Sequence, residues 1–260
     1  VSVRNLTAEG ARTLIVGFSV DGPGTRPLVI RTVSETLGRV FGVPNVLTDV
    51  DATLFTGSNR ISTSTGLAAG SSVAFQRVGA FPLDATTTDA ALVAQLTAGS
   101  YTVHAIPATG ATRREGNALI EVYEDGVRGT QLVNLSARTE LGAEPLIVGF
   151  VVAGNAKSRV LIRAVGPGLT AFNLTGLVAD PRIDLIGMSD GQTIAQNDDW
   201  GTNAAAVTSA STASGAFALT AGSRDAALVV DLDPGAYTVR VQNSSNASGI
   251  VLAELFQVPQ

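Results

Sequence analysis

The stretch "LIVGFSV", residues 14–20, returns almost unchanged as "LIVGFVV", residues 146–152. Each is a short apolar run bounded by turn-forming residues, the pattern of a buried strand. Other segments repeat around them in the same order. "NLTA" at Asn5 pairs with "NLSA" at Asn134, and "VIRTV" at Val29 with "LIRAV" at Leu161. "DAALV" occurs identically at Asp89 and Asp225, "AGSYTV" at Ala98 matches "PGAYTV" at Pro234, and "LIEVY" at Leu119 matches "LAELF" at Leu252. A chain written twice at a nearly constant offset predicts two homologous domains. Residues 1–126 and 131–260 are assigned to them, with a short linker at 127–130.

Within each copy, segments rich in Val, Ile, Leu, Thr, Tyr and Phe are punctuated by Gly, Asp, Asn and Pro. The expected fold is all-β: two tandem β-sandwich, jelly-roll-like domains. In the second copy the strands are placed at residues 146–152, 159–165, 182–186, 226–232, 236–241 and 250–258. One helical turn is expected in each copy, at "SETLGRVFG" with Ser34 as N-cap and Gly42 as stop, and at "GPGLTAFNL" after Pro167. Phe41 and Phe172 are expected to plug one end of each sandwich.

Composition limits the functions open to this fold. The 260 residues are 45% hydrophobic and 15% charged, with 28 glycines, and the mean hydropathy is +0.29. Such a chain folds compactly. Its longest apolar run, "PLIVGFVVAG" from Pro145, is about half of what a membrane-spanning helix needs. A net charge of −5 with scattered basic residues offers no footprint for nucleic acid. The absence of cysteine removes disulfides and thiolate chemistry. A chain starting at Val1 is expected to be a mature protein that has lost its signal peptide, and hence extracellular or at the cell surface. Sequons occur at Asn5, Asn134, Asn173, Asn243 and Asn246; in a Ser/Thr/Asn-rich bacterial chain they arise by chance.

The second copy, read through "LIVGFVVAG", "RVLIRAVGPGLTAF", "IAQNDDWG" and "GAFALTAGSRDAALVVDLDPGAYTVRV", resembles an uncharacterised repeat found near the C-termini of large secreted and surface proteins of environmental bacteria. More distantly, "IDLIGMSDGQTIAQNDD" followed by "LDPGAYTVRV" is similar to the pre-peptidase C-terminal-type β-sandwich domains that follow secreted bacterial proteases. The resemblance implies an exported, β-rich module without catalytic activity; some of the distant relatives bind calcium or matrix polymers.

Candidate chemistry is sparse. The single histidine, His104, shares a strand face with Thr102 in "SYTVHA", opposite Tyr101, Val103 and Ala105, so it is read as a surface strand residue rather than a general base. Asp231 and Asp233 precede a Pro-Gly turn, and Asp89 and Asp225 are read as turn residues. The glycines of "AVGPGLTAF" lack the basic residue of a phosphate loop. Charged residues inside apolar strands are more telling. Arg31 with Glu121, and Arg163 with Glu254, are predicted to form one structural, semi-buried ion pair in each copy.

The segment "IAQNDDWG", residues 194–201, aligns with "ISTSTGLA", residues 61–68, so the fold does not require its acids. Two readings stay open. Asp198 and Asp199, with Asp184 and the further acids Asp180 and Asp190 of the same half, could supply oxygen ligands to calcium; otherwise the segment is an Asn-Asp-Asp turn with its tryptophan packed against the domain. Apart from such a calcium ion no cofactor is expected. Asn197 and Trp200 are the candidates for a surface contact.

The function expected is that of a non-catalytic extracellular structural protein, a self-assembling surface or fibre subunit that forms homo-oligomers or polymers through edge or terminal strands. The alternative is a carbohydrate- or matrix-binding adhesion module with polysaccharide as partner. An enzyme is not expected.

Overall fold

The computed structural model describes residues 1–68, 70–126, 131–245 and 247–259; the expected linker 127–130 and Asn246 lie outside them. The chain is mostly β and sandwich-like, and it divides into two compact units, Val1–Val133 and Asn134–Gln260.

In the first unit the strands are β1 (Ser2–Thr7), β2 (Leu14–Val33), β3 (Val50–Thr56), β4 (Asn59–Ser64), β5 (Ala90–Pro107) and β6 (Gly116–Glu124). The order is β1-β6-β2-β5-β3-β4, antiparallel throughout. The longest ladder is the antiparallel pair of β2 with β5. Its register shifts between Val20 and Thr25, where Gly22 and Gly24 take positive φ values of 101° and 86° that non-glycine residues resist. Before that bend the pair is flanked by β3, and beyond it by β6.

In the second unit the strands are β7 (Gln131–Leu141), β8 (Leu146–Val152), β9 (Ser158–Val165), β10 (Pro181–Gly187), β11 (Thr193–Asn197), β12 (Ala226–Leu232), β13 (Gly235–Asn243) and β14 (Gly249–Gln257). They form two antiparallel runs, β7-β14-β9-β12 and β8-β13-β10-β11. Here the counterpart of the β2–β5 pair is cut into separate strands, β8 from β9 and β12 from β13. "DPG" at 233–235 explains the second cut, because proline cannot donate to a ladder. Strand positions agree with the sequence expectation to within two residues, since β-branched runs between turn formers leave little freedom in register. The cores follow the same alternation: Val16, Ile30, Leu54, Val103 and Ile120 are buried in the first unit, and Leu146, Val148, Ile162, Val239 and Val251 in the second. Each such side chain contributes about 1.5–3 kcal/mol.

The helices depart from expectation. Helix α1 (Glu35–Phe41) forms where predicted, and the Gly42 N–H closes it onto Leu37 O with φ +67°. The corresponding "PGLTAF", Pro167–Phe172, is a 3-10 helix. Ser34, however, makes no side-chain cap hydrogen bond. Phe41 and Phe172 are 54% and 53% exposed rather than plugs, each resting edge-on against a second ring, Phe81 or Phe217. Two further helices were not anticipated: α2 (Ser71–Arg77) and α3 (Ala204–Ser214). Their sequences, "SSVAFQR" and "AAAVTSASTAS", lack a clear apolar stripe, and in α3 only Val207, Ala210 and Ser211 are buried. Alanine's helix propensity and packing on the sheet hold α3 instead of amphipathicity.

Gly116 and Gly249 open the last strand of each unit under a crossing loop. A Cβ at Gly249 would lie 2.6 Å from Val178 N, and one at Gly116 would lie 2.6 Å from Asn45 O. Gly249→Ala is therefore expected to cost about 3 kcal/mol, the upper end of overpacking penalties. Urea unfolding of the variant measures this, and an unchanged midpoint would disprove the close packing.

Candidate functional site

Arg31 on β2 stands opposite Glu121 on β6, and Arg163 on β9 stands opposite Glu254 on β14. Both guanidiniums are fully buried, and the glutamates are 4% and 6% exposed; the sequence had suggested only partial burial. Arg31 Nε donates to Glu121 Oε2 at 2.8 Å and Arg163 Nε to Glu254 Oε2 at 2.9 Å, with each Nη2 on the same oxygen. Each Nη1 donates to a loop carbonyl, Phe81 O or Phe217 O. The same phenylalanine lays its ring on the guanidinium, with Cζ 4.2 Å and 4.3 Å from the two centroids. Carboxylate, carbonyl and ring together replace the water that burial removes.

The two pairs differ in their surroundings: the Phe75 ring also lies by Arg31, with Cζ 4.8 Å from its centroid. Tyr123 donates to the free oxygen of Glu121 at 2.6 Å, whereas Phe256 occupies the matching place in "LAELF". Burial, followed by the Glu121 carboxylate, pushes the Tyr123 hydroxyl up. Burial also raises the Glu254 carboxyl above its ordinary value, outweighing the attraction of Arg163.

Asp89 and Asp225 are not turn residues but fully buried caps. Asp89 Oδ1 accepts from Ser34 N at 2.7 Å and Glu35 N at 2.9 Å, and Oδ2 from Thr36 N at 3.3 Å. Asp225 Oδ1 accepts from Gly166 N at 2.8 Å and Gly168 N at 3.1 Å, and Oδ2 from Ser223 Oγ at 2.6 Å. The orphan N–H groups of a helix start are thus satisfied from a distant strand, so Ser34 need not cap. Gly166 and Gly168 are glycines for the same reason: a Cβ would strike Val178 O or the Asp225 carboxylate. The glycine-rich turn holds an internal anion rather than a phosphate.

The segment 194–201 runs from the edge strand β11 into a 3-10 helix, Trp200–Asn203. Asn197 Oδ1 accepts from Ala227 N at 2.8 Å, and its amide donates to Asp199 O at 3.1 Å and Thr202 Oγ1 at 3.2 Å. Trp200 is 6% exposed, packed with Leu161, Val207 and Phe256. Its backbone N–H donates to Asp225 O at 2.9 Å and its indole N–H to Ser223 Oγ at 3.1 Å. The expected surface contact through Trp200 is therefore corrected: the ring fills space between the sheet and α3. Asp198 and Asp199 are exposed, while Asp184, 2% exposed, is gripped by Arg182 at 3.0 Å and Arg240 at 2.8 Å. Asp180 pairs with Arg224, and Asp190 accepts from Gln192 N inside its own turn. The structure does not bring these acids together, and among the described residues no three His, Asp or Glu side chains are grouped to hold a metal.

The His104 ring lies tilted by 35° beside Phe55 with centroids 4.5 Å apart, and its Nε2 is 3.2 Å from Thr102 Oγ1. Asp231 forms a two-point pair with Arg159 at 2.8 and 2.7 Å, and Asp233 meets Lys157 at 3.1 Å. Of the sequon asparagines, Asn5 and Asn243 are buried, and Asn173 sits exposed with φ +59°.

The buried pair predicts a graded response. Glu254→Leu strands the Arg163 charge and is expected to cost about 3–5 kcal/mol; Glu254→Gln keeps an acceptor for Arg163 and costs less. Because the folded carboxyl titrates above its unfolded value of 4.5, its contribution is fully present below that pH and is lost as pH rises through the folded pKa. The melting temperature of the native protein should therefore lose this component on going from acid toward neutral pH, and Glu254→Gln should remove that slope. Equal pH profiles for the two proteins would contradict it.

No family model matches the chain, and no curated protein is similar to it. Among solved structures it is similar to the tandem CBM51 modules of Sp3GH98, the family 98 glycoside hydrolase from Streptococcus pneumoniae SP3-BS71. The identity is 10%, over 98% of this chain and 83% of that one, with a TM-score of 0.26. PNGF-II follows at 11% identity, over 100% and 60% of the two chains, with a TM-score of 0.23. Sulfolobus Turreted Icosahedral Virus protein matches at 10% identity, over 100% and 57%, with a TM-score of 0.20. At such identities and TM-scores these likenesses carry no argument about activity or ligand.

Proposed function

We propose that this chain is a non-catalytic β-sandwich module of an extracellular structural protein, and that it associates with further copies of itself through open strand edges. The observation that supports this reading most is the pair of edge strands β4 and β11. Each has a backbone ladder along one side only, to β3 and to β10 respectively, and on its other side only the last residue is tied by its side chain, Ser64 to Ala91 O and Asn197 to Ala227 N. Each also displays an exposed isoleucine, Ile61 at 46% and Ile194 at 49%. Acidic residues are absent from both strands, and Arg60 is their only charge, so little discourages pairing with another chain. The charged side chains within the sandwich fit the same reading: the arginines and carboxylates described above are engaged with one another, with helix starts or with loop carbonyls.

Light scattering and electron microscopy of the purified protein test the proposal. Concentration-dependent oligomers or ordered polymers are expected. Ile61→Lys with Ile194→Lys, which places a charge on each edge, is expected to weaken association at least about tenfold, a difference of about 1.4 kcal/mol. A native protein that stays monomeric at every concentration, or a double variant that assembles as the parent does, overturns it.

A further inference from the structure

Strand β12 (Ala226–Leu232) is laddered to β9 on one side over its whole length. Two bonds fix which of its main-chain groups face the other way. Trp200 N donates to Asp225 O at 2.9 Å, and Ala227 N donates to Asn197 Oδ1 at 2.8 Å. Main-chain groups of alternate residues point to the same side of a strand, so those of Val229 and Asp231 also point away from β9. Among the described residues no hydrogen bond reaches Ala227 O, Val229 N, Val229 O or Asp231 N.

This set is self-complementary. Two copies of β12 laid side by side, antiparallel, with Val229 facing Val229, exchange both bonds between the valines. The next hydrogen-bonded pair sets Asp231 against Ala227 of the second copy, so Asp231 N donates to Ala227 O on each side of the centre. What is left over is Asp231 O and the Ala227 N that Asn197 already holds. The obstructions fall outside this stretch: Trp200 closes the edge at Asp225, and β12 ends at Leu232, before the Asp233-Pro234 turn.

The side chains agree. Leu228, Val229 and Val230 are half-buried, an apolar surface that a second strand would cover. Asp231, the one charge, is held by Arg159 at two points and would meet an alanine rather than another acid. Between α3 and residues 229–231 runs a groove of about 410 Å³, lined from the helix by Ala206, Ser209, Ala210 and Ala213. The helix therefore sets no large side chain in the groove beside these residues. In the identical "DAALV" segment of the first unit, Ala91 N donates to Gly66 O at 3.0 Å and Ala91 O accepts from Ser64 Oγ at 2.8 Å. A ladder centred on Val93 would keep only its central bonds.

We infer that the β12 edge is a twofold interface, at which two copies of this chain pair β12 with β12, centred on Val229, in a closed dimer. The inference rests on the reading of the chain as self-associating, and gives that association a further edge and a symmetry.

Amide hydrogen exchange of the native protein over a concentration series tests it. The Val229 and Asp231 amides are expected to slow at least about tenfold as the dimer fills, while Val93 and Gln95 stay unchanged. Val229→Pro removes the central donor, which lies off the β9 ladder; it should retain the fold by circular dichroism and weaken the dimer at least about tenfold. A nitroxide on Asp231→Cys, in a chain without other cysteines, gives a second measure. The two Cα atoms would lie about 15 Å apart, four residues along the strand and one strand across, so dipolar broadening is expected and should vanish on dilution with unlabelled protein. In the Ile61→Lys, Ile194→Lys background the dimer should persist, whatever becomes of larger assemblies. The inference is overturned if both amides exchange at the same rate at every concentration, if Val229→Pro folds and associates as the parent does, or if the labels show no broadening. A native protein that polymerises without protecting Val229 and Asp231 overturns this inference alone and leaves assembly through β4 and β11 standing.

Discussion

A guanidinium without any solvent contact must find all its partners inside the protein, and in each unit the surrounding elements are arranged to provide them. Arg31 and Arg163 sit on central strands. Their facing strands supply Glu121 and Glu254, and the segments after α2 and α3 supply Phe81 and Phe217, each by carbonyl and ring. One side chain thereby ties a strand ladder to a loop that has no ladder of its own. The cost of leaving either ion alone exceeds what a surface pair is worth by several-fold. That cost fixes the approach of the loop, and the loop in turn supports the exposed rings of Phe41 and Phe172.

A second internal charge lies close by at the same end of these strands, since Arg31 faces Ala91 and Arg163 faces Ala227, each two residues after the aspartate. Asp89 and Asp225 begin the "DAALV" strands and reach across to the peptide N–H groups at the start of α1 and of the Pro167–Phe172 turn. In the second unit the arrangement extends further: Ser223 bridges Asp225 to the indole of Trp200, whose own N–H returns to Asp225 O. Tryptophan, cap and strand are therefore one hydrogen-bonded system. The first unit has Leu67 at the aligned position and needs no such bridge.

These arrangements bear on function by what they use up. Asp184 is held by two arginines, Asn197 spends its amide on backbone and Thr202, and Trp200 packs inward. What stays available is geometrical: the strand edges of β4 and β11, whose backbone ladders run along one side only.

The sequence by itself determined the β character, the placement of six of the second unit's strands and the Arg–Glu pairs, because period-two alternation and a charge inside an apolar run are local signals that survive without coordinates. Only the tertiary structure decided the roles of Asp89, Asp225, Phe81, Phe217 and Trp200. Each of these acts on groups far along the chain, Asp89 on an N–H 55 residues away and Arg163 on a carbonyl 54 residues away. Spacing within a segment carries no record of such partners. Helices α2 and α3 were hidden for a related reason: their short apolar faces gain meaning from the sheet that covers them, and an isolated segment of that length has too few bonds to hold a helix in water.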